Sequence, residues 1–299
     1  MKTSFLTATA AALLCMGSLS PAATILTPSD WYAYFHVVGN PPPVITNGDT
    51  GSPTLDPKGA TSIIGMFSYF DPTTLHDGQT LKLSFDIAYE LAGGATEKSF
   101  TLFRFGLYNS STPKASIEQY GEGRVAGNND ISGGTKSNWS GFMLSSPGDI
   151  TTNDPSAASL NVSRKGGTGD QAFSSTADQT LAGQAGTTGD YTLKFQDGVP
   201  RTYTLELTRE GTTLHLSGTY GSGSFNGTLA NAFTAEKYEL FDAVGFYASS
   251  NSVGIDKLTF SNVTVTVVPE ASTNAMLFGG GILLAWAARH RRNQRKTTP

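Results

Sequence analysis

Residues 81–91 read LKLSFDIAYEL, and their alternation decides the fold class. Leu81, Leu83, Phe85, Ile87, Tyr89 and Leu91 share one parity, and Lys82, Ser84, Asp86, Ala88 and Glu90 the other. Successive side chains of a strand point to opposite faces, so a period of two held over this length is a strand with one buried face. Asp77-Gly78 just upstream supplies the turn that leads into it.

A hairpin is legible from Tyr203 to Tyr220, with Glu210-Gly211 as a two-residue turn. That turn sets Leu207 opposite Leu214 and Leu205 opposite Leu216 on the core face, with Glu206 opposite His215 and Thr208 opposite Thr213 outside. Further strands are expected at 100–108, 139–144, 160–164, 191–195 and 243–248. In the last one, 257–267, Leu258 and Phe260 have one parity while Val263, Val265 and Val267 have the other, which predicts a bulge near Ser261-Asn262. Turn signals recur and no amphipathic helix intervenes, so the expected class is all-β, an antiparallel sandwich.

Composition agrees. Charged residues make up 15% of the 299 and aromatics 10%, too apolar and too weakly charged for a disordered chain. The 34 glycines suit many turns. Residues 121–190 hold 13 glycines yet include Trp139, Phe142, Leu144, Leu160 and Val162, which a linker would not need. One domain is therefore expected over 23–267.

Both ends read as addresses. Residues 1–22 have Lys2, an apolar run from Ala8 to Met16 and the small-residue exit Ser20-Pro21-Ala22, the pattern of a secretory signal cleaved after Ala22. Cys15, the single cysteine, leaves with that signal, so the body has neither disulfides nor thiol chemistry. At the other end, Val268-Pro269-Glu270-Ala271 precedes the apolar run 275–288 and then Arg289, Arg291, Arg292, Arg295 and Lys296. Fourteen residues at about 1.5 Å each span roughly 21 Å, short of a ~30 Å hydrocarbon layer, so flanking residues are drawn in or the membrane span is provisional. The basic cluster places the C-terminus on the cytoplasmic side and the body outside.

This tail of Pro-Glu motif, short span and arginine cluster resembles the PEP-CTERM sorting signal of Gram-negative bacteria. Pro269 and Glu270 match the first two motif positions, and Ala271 stands where a second proline is usual. The resemblance implies exosortase, a membrane protease that cuts near the motif, as a processing partner. It also implies a host that makes exopolysaccharide. More loosely, residues 202–219 (TYTLELTREGTTLHLSGT), 241–246 and 255–263 resemble concanavalin A-like lectins and glucanases. That likeness implies a jelly roll.

Between the two ends, 14 basic residues stand against 23 acidic ones, a net of about −9. Such a body repels nucleic acid and anionic surfaces, so a polysaccharide partner is expected to be neutral or bridged by cations.

Catalytic chemistry is not announced. A glycosidase needs two carboxylates roughly 5–9.5 Å apart, whereas Asp86 and Glu90, four strand residues apart, lie about 13 Å from each other. The laminarinase-type Glu-x-Asp-x-x-Glu is absent, since Glu206-Leu-Thr-Arg-Glu210 lacks the central acid. Glu206 opposite His215 is the one acid–base candidate, and a surface contact is its ordinary reading. His36, His76 and His215 have no metal-site spacing. Asn128-Asn129-Asp130, Asp149, Asp154 and Asp170 could offer oxygens to Ca²⁺, yet Asn, Asp and Gly belong in turns anyway. No metal, cofactor or catalytic residue is assigned.

Trp31, Tyr32, Tyr34 and Trp139 are the aromatic candidates for stacking on a sugar, with core packing as the competing fate. The sequence thus points to an exported, noncatalytic envelope or extracellular-matrix protein, transiently anchored in the inner membrane, with exopolysaccharide as its candidate ligand. A polysaccharide hydrolase or lyase on the same fold is the alternative.

Overall fold

The computed structural model describes residues 24–35, 44–47, 50, 52–56, 64–91, 97–99, 102–110, 125–126, 139–146, 161–166, 179–180, 194–196, 198–220, 223–249 and 255–269. Residues 24–267 form one compact unit. The expected signal at 1–22, Glu270, Ala271, the run 275–288, Arg289, Arg291 and Arg292 lie outside the described residues, as do the candidate calcium loops.

Two sheets build the unit. The first contains β16 (Gly223–Leu229), β15 (Thr213–Tyr220), β14 (Arg201–Glu210), β6 (Thr80–Leu91), β18 (Ile255–Val268), β4 (Thr54–Asp56) and β3 (Val44–Thr46), in that spatial order. A short strand β1 (Thr24–Leu26) pairs with the end of β18. The second sheet runs β12 (Gln179–Thr180), β11 (Asn161–Gly166), β10 (Ser140–Ser146), β8 (Leu102–Asn109), β17 (Leu240–Ser249), β5 (Ile64–Thr74), β2 (Ser29–Phe35) and β9 (Val125–Ala126). Its pairings are antiparallel except for β9, which runs parallel to β2. β7 (Glu97–Ser99) and β13 (Lys194–Gln196) make a separate pair. Among the described residues the helical element is a 3-10 turn, Glu236–Tyr238.

The alternation of β6 is realised: Leu81, Leu83, Phe85, Ile87 and Tyr89 are buried, and the residues between them are not. Phe85 ties the sheets together, its ring centroid 5.1 Å from Phe105 and 4.6 Å from Phe246 of the facing sheet. Burying such a side chain contributes about 1.5–3 kcal/mol. The parity change in β18 is also present. Leu258, Phe260, Val263 and Val265 all enter the core, and Asn262 between them has φ 53°.

The hairpin register differs from expectation by two residues. Leu207 faces Leu216, Glu210 faces Thr213, and the turn is Gly211-Thr212, with Gly211 at φ 60°. A two-residue slip preserves parity, so the four leucines stay buried. Its outer-face pairs change: Thr208 meets His215, and Glu206 meets Ser217.

Strands β2, β5, β9 and β12 of the second sheet, β1, β3, β4 and the edge strand β16 of the first, and β7 were not expected from the sequence. In β5, Met66 and Phe70 face the core while Phe67 and Tyr69 pack on the opposite side. With both faces apolar the period of two vanishes from the sequence.

Candidate functional site

Strand pairing aligns the outer face of the second sheet into rows. One row joins Tyr32, Phe67, Gly245, Gly106, Met143 and Ser163 across six strands. A second joins Tyr69, Ala243, Tyr108 and Gly141. A third passes through Tyr34, Gly65, Tyr247 and Arg104. Small residues at the middle strands leave room for rings from their neighbours. A Cβ on Gly106 would lie 2.5 Å from the Phe142 carbonyl oxygen and 2.8 Å from the Tyr108 hydroxyl.

The rings form a packed layer distinct from the intersheet core. Tyr32 stacks on Phe67 at 5.2 Å, and Trp139 meets Phe67 edge-on at 5.5 Å, Tyr69 at 6.1 Å and Tyr108 at 5.7 Å. Arg104 sits 5.0 Å over the Tyr247 ring. Burial lowers the Arg104 pKa, against the opposing pull of Tyr247 and Tyr108. Burial likewise raises the phenols of Tyr69, Tyr108 and Tyr247 above the ordinary tyrosine value. At neutral pH these are proton donors, not bases.

One end of this aromatic floor is a polar corner. Asp242 accepts hydrogen bonds from the Ser110 backbone N–H at 2.7 Å and hydroxyl at 2.8 Å. Burial raises the Asp242 carboxyl, and both Ser110 bonds oppose that rise. The Lys237 carbonyl accepts from Ser140 Oγ at 2.8 Å and from Asn109 Nδ2 at 3.2 Å, fastening the 3-10 turn to β8 and β10.

The structure separates the four aromatics singled out in the sequence. Trp31 points into the intersheet core beside Phe246, whereas Tyr32 and Trp139 meet in the outer layer. None of these three exposes more than 4% of its surface, which corrects the expectation of half-exposed stacking platforms. Tyr34 lies two residues beyond Tyr32 on β2, and its side chain is outside the described residues. Trp31 and Tyr32 are adjacent in a strand, so period two alone sends them to opposite faces. Phe67, Tyr69, Tyr108, Tyr247, Arg104 and Asp242 were missed by sequence reasoning. The alternation in LFRFGLYN of β8, with Arg104, Gly106 and Tyr108 on one parity, was the available signal.

The expected Glu206–His215 couple does not form. Glu206 pairs with Lys82 at 2.7 Å and accepts from Ser217, while His215 Nε2 lies 3.0 Å from Glu210. Asp86 accepts from Thr202 and Asn262, and Glu90 pairs with Lys257. These carboxylates hold the solvent face of the first sheet together. Among the described residues no group of three His, Cys, Asp or Glu side chains gathers as metal ligands. No described helix is long and apolar enough to cross a membrane. Val268 ends β18 and Pro269 follows it, both described.

No protein-family model matches the chain, and no curated protein does either. Among solved structures it is similar to lectin II from Ulex europaeus, at TM-score 0.39 and 12% identity over 83% of this chain and 98% of the lectin. The seed lectin of Lotus tetragonolobus gives 0.42 and 10%, over 82% and 97%. The carbohydrate recognition domain of Emp47p gives 0.43 and 10%, over 85% and 100%. At such scores the overlaps carry no argument about ligand, and the two-sheet architecture rests on the strand pairing itself.

Proposed function

We propose that this chain is an exported, noncatalytic protein of the cell envelope or extracellular matrix, sorted by exosortase through Pro269-Glu270, whose sandwich binds a neutral exopolysaccharide. We read the sandwich as a jelly roll of the concanavalin A-like kind. The observation that carries the binding reading is the aromatic floor outside the intersheet core. It meets the polar corner of Asn109, Ser110, Ser140 and Asp242. The buried rings set a rigid floor beneath this face, and Asp242, the member of the corner that is not fully buried, is the acceptor suited to a sugar hydroxyl.

The enzyme reading has one observation in its favour, the gathering of Tyr69, Tyr108, Tyr247, Arg104 and Asp242 on one sheet face. Its weakness is chemical. A lyase needs a base at neutral pH, and burial drives all three phenols the other way. A hydrolase needs a second carboxylate facing the first.

The test is retention of the exported protein on the producing cell's own exopolysaccharide, with reducing ends and chain length followed over time. Retention at constant chain length is the expected result. Depolymerisation would establish the enzyme, and passage without retention would remove the glycan. For sorting, Glu270→Ala is expected to leave more full-length, membrane-retained protein than wild type in an exosortase-bearing host. Equal size and location in the two would defeat the sorting assignment.

A further inference from the structure

Among the described strands that end the two large sheets, β3 has three residues and β12 and β9 two each, while β16 has seven. An edge strand offers its backbone N–H and C=O groups to any strand laid beside it, and folded proteins blunt this with shortness, charge, proline or a bulge. β16 uses none of these. It reads GSFNGTL, without a charged residue or a proline, and pairs with β15 at seven successive positions with no shift of register. Phe225 and Leu229 turn into the core, and Ser224, Asn226 and Thr228 are exposed.

The strand is complementary to itself. Two copies laid antiparallel about a two-fold axis keep the same face on the same side, so opposed positions share parity. A register centred on Asn226 engages all seven residues, whereas centring on Phe225 or Gly227 engages five. The seven-residue register sets Asn226 opposite Asn226 and Ser224 opposite Thr228 on the outer face, with Phe225 opposite Gly227 and Leu229 opposite Gly223 on the core side. Each large side chain then meets a glycine, and each hydroxyl a hydroxyl. Charge permits the contact. The row through Asn226 continues to Ser217, Glu206 and Lys82, and Glu206 is paired with Lys82 at 2.7 Å. Five strand spacings of about 4.8 Å would hold the two Glu206 side chains roughly 24 Å apart, beyond a Debye length of ~10 Å. We infer that β16 is a self-association edge: a second copy of this chain docks antiparallel on Gly223–Leu229, centred on Asn226, and continues the first sheet across the two-fold axis.

The test uses the purified full chain in detergent, with Cys15→Ala so that an introduced thiol stands alone. Opposed Cα atoms of an antiparallel pair lie about 4.5–5.5 Å apart, within the range a disulfide spans. Under mild oxidation Asn226→Cys is expected to form an intermolecular disulfide at least tenfold faster than Ser224→Cys or Thr228→Cys, whose like partners lie about 13 Å away along the strand. Ser224→Cys and Thr228→Cys combined are expected to restore the fast rate. Equal rates for the three single variants would overturn the pairing. With no thiol present, sedimentation equilibrium is expected to show reversible monomer–dimer exchange. Asn226→Lys, which sets two like charges face to face, is expected to weaken that dimer at least tenfold while the circular dichroism spectrum stays unchanged. A chain that remains monomeric overturns the proposal. So does a dimer indifferent to Asn226→Lys, which would place the contact on another face or on the tail.

Discussion

Leu207 stands directly opposite Leu216 across the β14–β15 hairpin, both sealed in the intersheet core. That pairing is held by the turn at Gly211, whose φ of 60° is in the left-handed region and whose absent Cβ would meet nothing within 4 Å. Replacement there has a purely backbone cost. Gly211→Ala is expected to lose about 1–2 kcal/mol and Gly211→Asn less, since Asn tolerates this conformation. Urea midpoints for the three proteins check the ranking, and equal loss from Ala and Asn would count against it.

Gly106 presents the opposite case, a site with no space. Its Cβ would press on the Phe142 carbonyl and the Tyr108 hydroxyl. Gly106→Ala is expected to destabilise by about 1–3 kcal/mol, as overpacking does. It should also weaken retention on polysaccharide, because the floor is disturbed. Unchanged retention in a folded variant would separate the floor from binding.

Trp31 is fully buried, and its indole Nε1 has no hydrogen-bond partner among the described residues. An unsatisfied buried donor costs about 1–3 kcal/mol, so Trp31→Phe removes a penalty while losing ring volume. The expected net loss is below about 1.5 kcal/mol, whereas Phe246→Ala beside it should lose about 3–5 kcal/mol. Comparable losses from the two substitutions would contradict the orphan-donor account.

Asp242 carries a pH signature. Its carboxyl is raised in the fold, so between the unfolded and folded values the native state binds more protons. Stability from this group therefore falls as pH rises through that interval and is recovered on acidification. Measured against Asp242→Asn, wild type should gain relative stability as pH drops from neutral toward the carboxylate range. A flat difference, or a gain in the other direction, would refute the raised value.

Legibility in the sequence followed burial. β6 faces the core on one side and solvent on the other, so its parity was written plainly in residues 81–91. The β18 parity change was equally visible, because a bulge leaves the apolar residues out of step. The hairpin register was not. Pairings two residues apart bury the same leucines, and the choice between them lies in which residue takes the positive φ. The second sheet was hardest. β5 is apolar on both faces, so Phe67 and Tyr69 carried no periodic mark, and with them the aromatic floor stayed hidden. Tyr32 and Trp139 were recognised as residues of interest, but the layer that unites them comes from long-range pairing.

Because Thr24 lies beside Val267, the head and the foot of the body are next-door neighbours. The polypeptide could be sealed into a ring with a short connector and reopened at Gly211-Thr212 without moving a sheet residue. By the same geometry the whole sandwich can be spliced into a surface loop of an unrelated carrier, entering and leaving within one strand's width.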